Sequence, residues 1–348
     1  MKRLLSGIAL VLAPLPALAA PPAVPEAGVT PGAVVAAAAA GEWRRIAPGD
    51  LVVMDLAPLA AGPAGASAPR RVVIQLIAPP FSQGWVENIR KLAAAHWWDG
   101  LAIVRVQDNY VVQWGDPDGD DPRKARPLPA GLRAMAERDY VVPVRSAGAG
   151  KTDPALAIPD GGSWASDPYV QGAAPASPAG LTGFSGGWPI AYLPRGPHED
   201  GAGGATGRMV GEAWPVHCYG SVGVGRSVSP DTGTGAELYT VIGHAPRQLD
   251  RNIAVVGRVI EGIEHLSSLP RGTGELGFYE TAAERVPIVA MRLGSEVPGL
   301  PAYEYLATDS ESFARYARAR ANRKDDFFIR PAGGVDVCNV PVPVRRAR

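Results

Sequence analysis

The chain alternates between short apolar runs and polar or glycine-rich breaks, and the period of each run decides what it becomes. "DLVVMDLA" (50–57) and "RVVIQLIA" (71–78) are β-branched or alternating, and Val72, Ile74 and Leu76 fall on one face, which predicts strands. "SQGWVENIRKLAAAHWW" (82–98) switches to helical spacing, with Val86, Ile89, Leu92 and Ala93 in one stripe and Ser82 placed to cap it. "LAIVRVQDNYVVQWGDPDG" (101–119) returns to strands, Leu101–Val106 and Tyr110–Trp114, joined at Gln107-Asp108-Asn109. Two polar residues, Arg105 and Gln113, interrupt these apolar runs and come close together across the hairpin. One solvated face explains them; so does a groove built to hold a peptide group.

After Gly119 a polar, Gly- and Pro-rich region runs to about Gly187 and predicts a long loop insertion. Strand-like runs resume at "PIAYL" (189–193), "YGSVGVGR" (219–226), "ELYTVIG" (237–243), "IAVVGRVI" (253–260) and "PIVAMRL" (287–293). "VIEGIEHLSSL" (259–269) predicts a short helix on the sheet. A last helix is predicted at Ser310–Arg323, with Thr308 and Glu311 as a capping box and Phe313, Tyr316 and Ala317 as its apolar edge. Its arginines, Arg315, Arg318, Arg320 and Arg323, are expected to face water. Many short strands with few helices point to a mainly β fold, a closed antiparallel barrel, because closure leaves no exposed edge. The expected division is a leader over 1–19, a flexible stretch over 20–41, the barrel over 42–300 with its insertion at about 120–187, and a C-terminal helical extension over 301–348.

Charge and composition narrow the function classes. Lys+Arg and Asp+Glu cancel at 34 each, so no global field favours nucleic acid or an acidic polymer. Gly (42) and Pro (35) together make about a fifth of the chain, which fits many turns around a β-rich body. "MKRLLSGIALVLAPLPALAA" opens with Lys2 and Arg3, continues with an apolar stretch from Leu4 to Leu12, and ends at Ala17-Leu18-Ala19, a small-x-small cleavage site. That is the pattern of a secretory signal peptide, cleaved near Ala19, and it predicts a periplasmic or secreted protein. The apolar stretch is too short for a membrane span, and no later one approaches that length.

Cys218 and Cys338 are the only cysteines, and in an oxidising compartment an even pair suggests a disulfide; two buried free thiols are the alternative. No ligand spacing for a metal appears among two cysteines and five scattered histidines. "GFSGG" (183–187) matches the nucleophile-elbow pattern but lacks a buried strand before it and a helix after it, so it reads as a glycine loop. "GAGGATG" (201–207) opens no helix and has no lysine, which removes a phosphate loop, and "HED" (198–200) reads as a surface cluster.

The Arg105/Gln113 hairpin sits in a longer pattern. "VENIRKL…WWDG-LAIVRVQDNYVVQWGDPDG" resembles the cyclophilin family of peptidyl-prolyl isomerases, in which a Val-x-Asn-Phe helix precedes Phe-His-Arg-Val-Ile and Phe-Met-x-Gln-Gly-Gly-Asp-Pro. "YGSVGVGRSVSPDTGTGAELYTVIGHAPRQLDRNIAVVGRVIEG" (219–262) resembles the family's second block, in order and spacing. The resemblance implies an eight-stranded antiparallel barrel capped by two helices, with the site on its outer face and no cofactor or metal. It matches Arg105 to the essential arginine and Gln113 to the substrate-holding glutamine. Tyr110 and Val111 take the places of the proline-pocket phenylalanine and methionine, Tyr239 that of the second pocket phenylalanine, and Leu249 keeps the pocket leucine. Gly225 matches the alanine whose backbone contacts substrate.

This sequence departs from the pattern at Ile103-Val104 for Phe-His, Trp114 for glycine, Ala236-Glu237 for Ser-Gln, Gln248 for the tryptophan associated with cyclosporin binding, and Ile253 for histidine. Two functional readings follow. One is an exported prolyl isomerase that assists folding of envelope or secreted proteins, with proline-containing polypeptides as substrates. The other is a cyclophilin-like barrel that grips proline-containing or partner segments without useful turnover.

Overall fold

Eight short strands carry apolar residues at alternate positions, and these alternate residues meet in a single core. The computed structural model describes residues 29–58, 70–147, 151–152, 165–166, 180–199 and 205–348. Numbering only the barrel strands, β1 is Leu51–Leu56, β2 Arg70–Leu76, β3 Ala102–Val106, β4 Val111–Gly115, β5 Ser221–Val224, β6 Leu238–Val241, β7 Val255–Glu261 and β8 Val286–Leu293. They close in the order β5-β6-β4-β3-β8-β1-β2-β7, every pair antiparallel. Val52, Met54, Val72, Ile74, Leu76, Ile103, Val112, Trp114, Val222, Leu238 and Val256 all join the main core, as period-two alternation requires. A bulge between Ile103 and Arg105 keeps Ile103 inside while turning Arg105 outward.

The helix expected at 82–98 spans Gln83–Ala94, and its stripe of Val86, Ile89, Leu92 and Ala93 is buried against the barrel. Ser82 does not cap it: the residue is left-handed, φ 53°, and its side chain makes no capping bond. The helix expected over 259–269 shrinks to Glu264–Ser267. Val259 stays in β7, paired with Ile74, and Gly262 turns the chain at φ +83°, where a Cβ would overlap the Arg71 carbonyl.

The region read as a loop insertion contains strands. Lys151–Thr152, Val142–Ala147, Ala205–Pro215, Trp188–Glu199, Leu181–Ser185 and Ala165–Ser166 make a six-stranded sheet in that order. "PIAYL" therefore belongs to this second sheet and not to the barrel. "GFSGG" is its hairpin turn, with Gly186 and Gly187 at φ 56° and 86°, the two positive values a tight hairpin turn needs. The remainder of "GAGGATG" and "HED" lies partly outside the described residues.

A third sheet pairs Trp43–Arg45 with Tyr303–Leu306 and that strand with Val344–Arg346. The flexible stretch expected over 20–41 is ordered from Pro31, where the helix Pro31–Ala36 buries Val34 in a cluster shared with Phe313 and Tyr316. The C-terminal helix spans Glu311–Ala321 and is capped by Ser310, whose hydroxyl accepts from the Phe313 amide at 3.1 Å. Thr308 instead accepts from the Gly187 amide at 3.1 Å, tying the helix start to the second sheet. Arg315 and Arg318 are exposed, whereas Arg320 and Arg323 are half-buried. Cys218 and Cys338 form a disulfide with Cα atoms 5.1 Å apart. Among the described residues no helix is long and apolar enough to cross a membrane. The expected leader over 1–19 lies outside the described residues.

Candidate active site

Register alone lines up a row of residues on the outer face of the barrel. Arg105 on β3 pairs with Gln113 on β4, Gln113 with Tyr239 on β6, and Tyr239 with Gly223 on β5. Side chains at paired positions stand on the same face, so four adjacent strands present one transverse strip.

Arg105 is held by three acceptors. Its Nε donates to the Leu276 carbonyl at 2.7 Å, Nη1 to Gln113 Oε1 at 3.0 Å, and Nη2 to Gln107 Oε1. The guanidinium lies near the rings of Tyr110 and Phe278, at 5.7 and 5.2 Å from their centroids. Three of its five N–H groups are thus committed, and two are left for a ligand. Burial lowers its pKa, but a guanidinium remains cationic under any ordinary condition.

Gln113 is oriented by charge on both sides. Its amide oxygen faces Arg105 and its amide nitrogen donates to Glu237 Oε1. Burial pushes the Glu237 carboxyl above the usual carboxylate range, against the opposing effect of the Gln113 bond. Arg105, Gln113, Glu237 and Gly225 all line one cleft of about 680 Å³.

The expected pocket residues come together beside this cleft. Val111, Tyr239 and Val241 form a buried cluster with Tyr110, Leu249 and Ile253 packed on it. Val111 and Tyr239 are only 2% and 4% exposed, while Tyr110 and Leu249 are half-buried. The Tyr239 ring is anchored from behind: its hydroxyl lies 2.8 Å from His217 Nε2, and His217 Nδ1 lies 2.9 Å from Asp250 Oδ1. A carboxylate only accepts, so Nδ1–H donates to Asp250, and in the neutral imidazole Nε2 is then the acceptor for the tyrosine hydroxyl. Arg247 holds the other Asp250 oxygen at 2.6 Å. Trp114 points into the barrel, fully buried, so its replacement of glycine leaves the outer face unobstructed.

Several site residues escaped the sequence reading. Glu237 appears there only as a departure in the second block, and nothing marked His217. Gly272–Tyr279 forms a strap along β3: the amides of Gly272 and Tyr279 donate to the carbonyls of Val106 and Val104 at 3.0 and 2.9 Å. Gly277, at φ +78°, lies so close to Gln107 that a Cβ would come within 2.7 Å of its Cα. The strap's role is carried by backbone bonds, which leave no side-chain pattern to read.

A closed eight-stranded antiparallel barrel bearing an arginine and a glutamine in register beside an apolar cluster on its outer face defines a barrel of the cyclophilin type. The model of the cyclophilin type peptidyl-prolyl cis-trans isomerase/CLD family matches residues 82–293, and the chain belongs to that family. Its structure is similar to that of cyclophilin AquaCyp293 from Hirschia baltica, with 22% identity, a TM-score of 0.58, and coverage of 92% of this chain and 99% of that one. A cyclophilin type peptidyl-prolyl cis-trans isomerase of Cryptosporidium parvum, solved in the presence of the dipeptide Ala-Pro, aligns at 11% identity over 70% of this chain and 98% of its own, with a TM-score of 0.34. No curated protein matches the chain.

Proposed function

We propose that this chain is an active prolyl isomerase of exported proteins. The observation that carries the reading is Arg105, fixed by Gln113, Gln107 and the Leu276 carbonyl beside an apolar cluster, with two N–H groups uncommitted. Rotation about an X–Pro amide crosses a barrier of roughly 18–20 kcal/mol because the twisted amide loses its resonance. In that twisted form the proline nitrogen regains its lone pair. A cationic donor aimed at it stabilises the twisted state more than either planar state, the differential binding that catalysis needs.

In this mechanism Tyr110, Val111, Tyr239 and Leu249 seat the proline ring, and Gln113 and the Gly225 backbone hold the neighbouring peptide. No nucleophile is consumed and no proton is transferred. Export is supported by the pattern of residues 1–19 and by a disulfide that closes in the folded chain. Fractionation of cells carrying the full chain tests it: retention of an uncleaved chain in the cytoplasm would overturn the export reading.

A second reading, a barrel that grips proline segments without turnover, draws on how completely Val111 and Tyr239 are covered. Isomerisation of a panel of X-Pro peptides, wild type beside Arg105→Ala, separates the two. Turnover that disappears in the variant supports the enzyme. Peptide binding without turnover in either protein supports the binding barrel.

A further inference from the structure

A cavity of about 250 Å³ lies away from the Arg105 site, between the barrel, the second sheet and the C-terminal tail. Trp188, Val216, Val255, Val340 and Val342 give it apolar walls, and the Cys218–Cys338 disulfide lies in its lining. One charged side chain, Arg258 of β7, lines it as well. The guanidinium lies 4.5 Å from the Trp188 ring centroid. Nε and Nη2 both donate to Gln75 Oε1, at 3.0 and 2.8 Å, and Nη1 donates to the Gly187 carbonyl at 2.9 Å.

These partners are neutral. Arg71, Arg292 and Arg345 each meet a carboxylate at 2.6–2.7 Å, but among the described residues no carboxylate comes within ion-pair distance of Arg258. Arg258 is half-buried, and desolvation by the surrounding protein lowers its pKa to about 10. A partly desolvated cation without an anion is costly, and hydrogen bonds to an amide and a carbonyl leave its charge uncompensated. Two of its five N–H groups are also unspent. The volume, the apolar walls and the unneutralised fork describe one kind of occupant.

We propose that this cavity binds a small amphiphilic carboxylate, its head taken by Arg258 and its hydrocarbon body by the apolar walls. Scaling from an apolar cavity of ~150 Å³ that accepts benzene, the space here suits roughly ten non-hydrogen atoms, the size of octanoate. The planar fork of arginine favours a carboxylate over a neutral head of the same shape. This inference is independent of the isomerase reading.

The test uses the whole disulfide-bonded protein and compares octanoate with octanamide by titration calorimetry. Octanoate should bind in a saturable way at least ~10-fold more tightly than the uncharged amide, the ratio expected of a charge-assisted bond. Arg258→Met should abolish that preference, and 8-bromooctanoate should place its bromine between Trp188 and Val342 in a crystal. Equal binding of acid and amide, no saturable binding, or bromine elsewhere would overturn the proposal. If Arg258→Met does not fold, the acid–amide comparison and the bromine position on wild type still decide it.

Discussion

Tyr239 and Gly223 face each other across paired strands, and the tyrosine ring fills the space that any side chain at 223 would need. A Cβ there would lie 2.8 Å from Cε1 and closer still to Cζ and the hydroxyl. The ring has nowhere to retreat, since it is 4% exposed and tied to His217. Gly223→Ala should therefore destabilise the protein by about 1–3 kcal/mol, the usual cost of overpacking. It should also weaken peptide binding by displacing a pocket wall. Urea unfolding and peptide titration of the same variant check both effects.

Removing only the tyrosine hydroxyl tests the anchor. His217 is fully buried, and Tyr239→Phe would leave its Nε2 without a partner. The expected loss is about 1–3 kcal/mol in urea unfolding, the penalty of one buried unsatisfied group. A variant as stable as wild type would show that the hydroxyl does not hold the ring.

Arg105→Lys separates charge from geometry. Lysine keeps the positive charge but replaces the flat fork that meets Leu276, Gln113 and Gln107 together. A fall in kcat/KM of about 10²-fold, with peptide affinity little changed, is expected for losing a positioned donor. Lysine activity close to wild type would mean that charge alone suffices.

The pH dependence should carry the mark of Glu237. Its folded-state pKa lies above the ordinary 4.5, chiefly through burial. The ionised group therefore costs stability at neutral pH, and the cost is relieved as the pH falls from the raised folded value toward the unfolded one. Glu237→Gln should be more stable than wild type at pH 7, and the difference should shrink through that window. Thermal melts from pH 4 to 8 measure it; a constant difference would show that the carboxyl does not titrate there.

Opening the disulfide should act mostly on the unfolded chain. Cys218 and Cys338 are 120 residues apart, and closing a loop of that length contributes about 4–5 kcal/mol on the chain-entropy model. Cys338→Ser should lower stability by that order, read as a shifted urea midpoint.

The barrel was legible because the residues turned into its core recur at alternate positions, as Val72, Ile74 and Leu76 show. Arg105 and Gln113 were legible for the opposite reason, as polar residues inside apolar runs. The second sheet was not, because "WPIAYLPRGPHE" breaks its own alternation with three prolines and a glycine. The helix expected over 259–269 begins only at Glu264 because Val259 is as suitable for a strand as for a helix, and pairing with Ile74 decided it. The Ser82 cap failed because capping needs extended backbone, and Ser82 is left-handed. His217 was hidden because its partners, Tyr239 and Asp250, lie 22 and 33 residues away.

The third sheet imposes an order on the birth of the molecule. Synthesis delivers the amino end first, so Trp43–Arg45 is made long before Tyr303–Leu306, the strand it pairs with. Val344–Arg346 completes the same sheet later still, and Cys218 remains a lone thiol until Cys338 follows it. A nascent chain stalled at residue 300 holds every barrel strand yet has neither clasp nor disulfide. Residues 303–346, made after every barrel strand, are the latch on what precedes them.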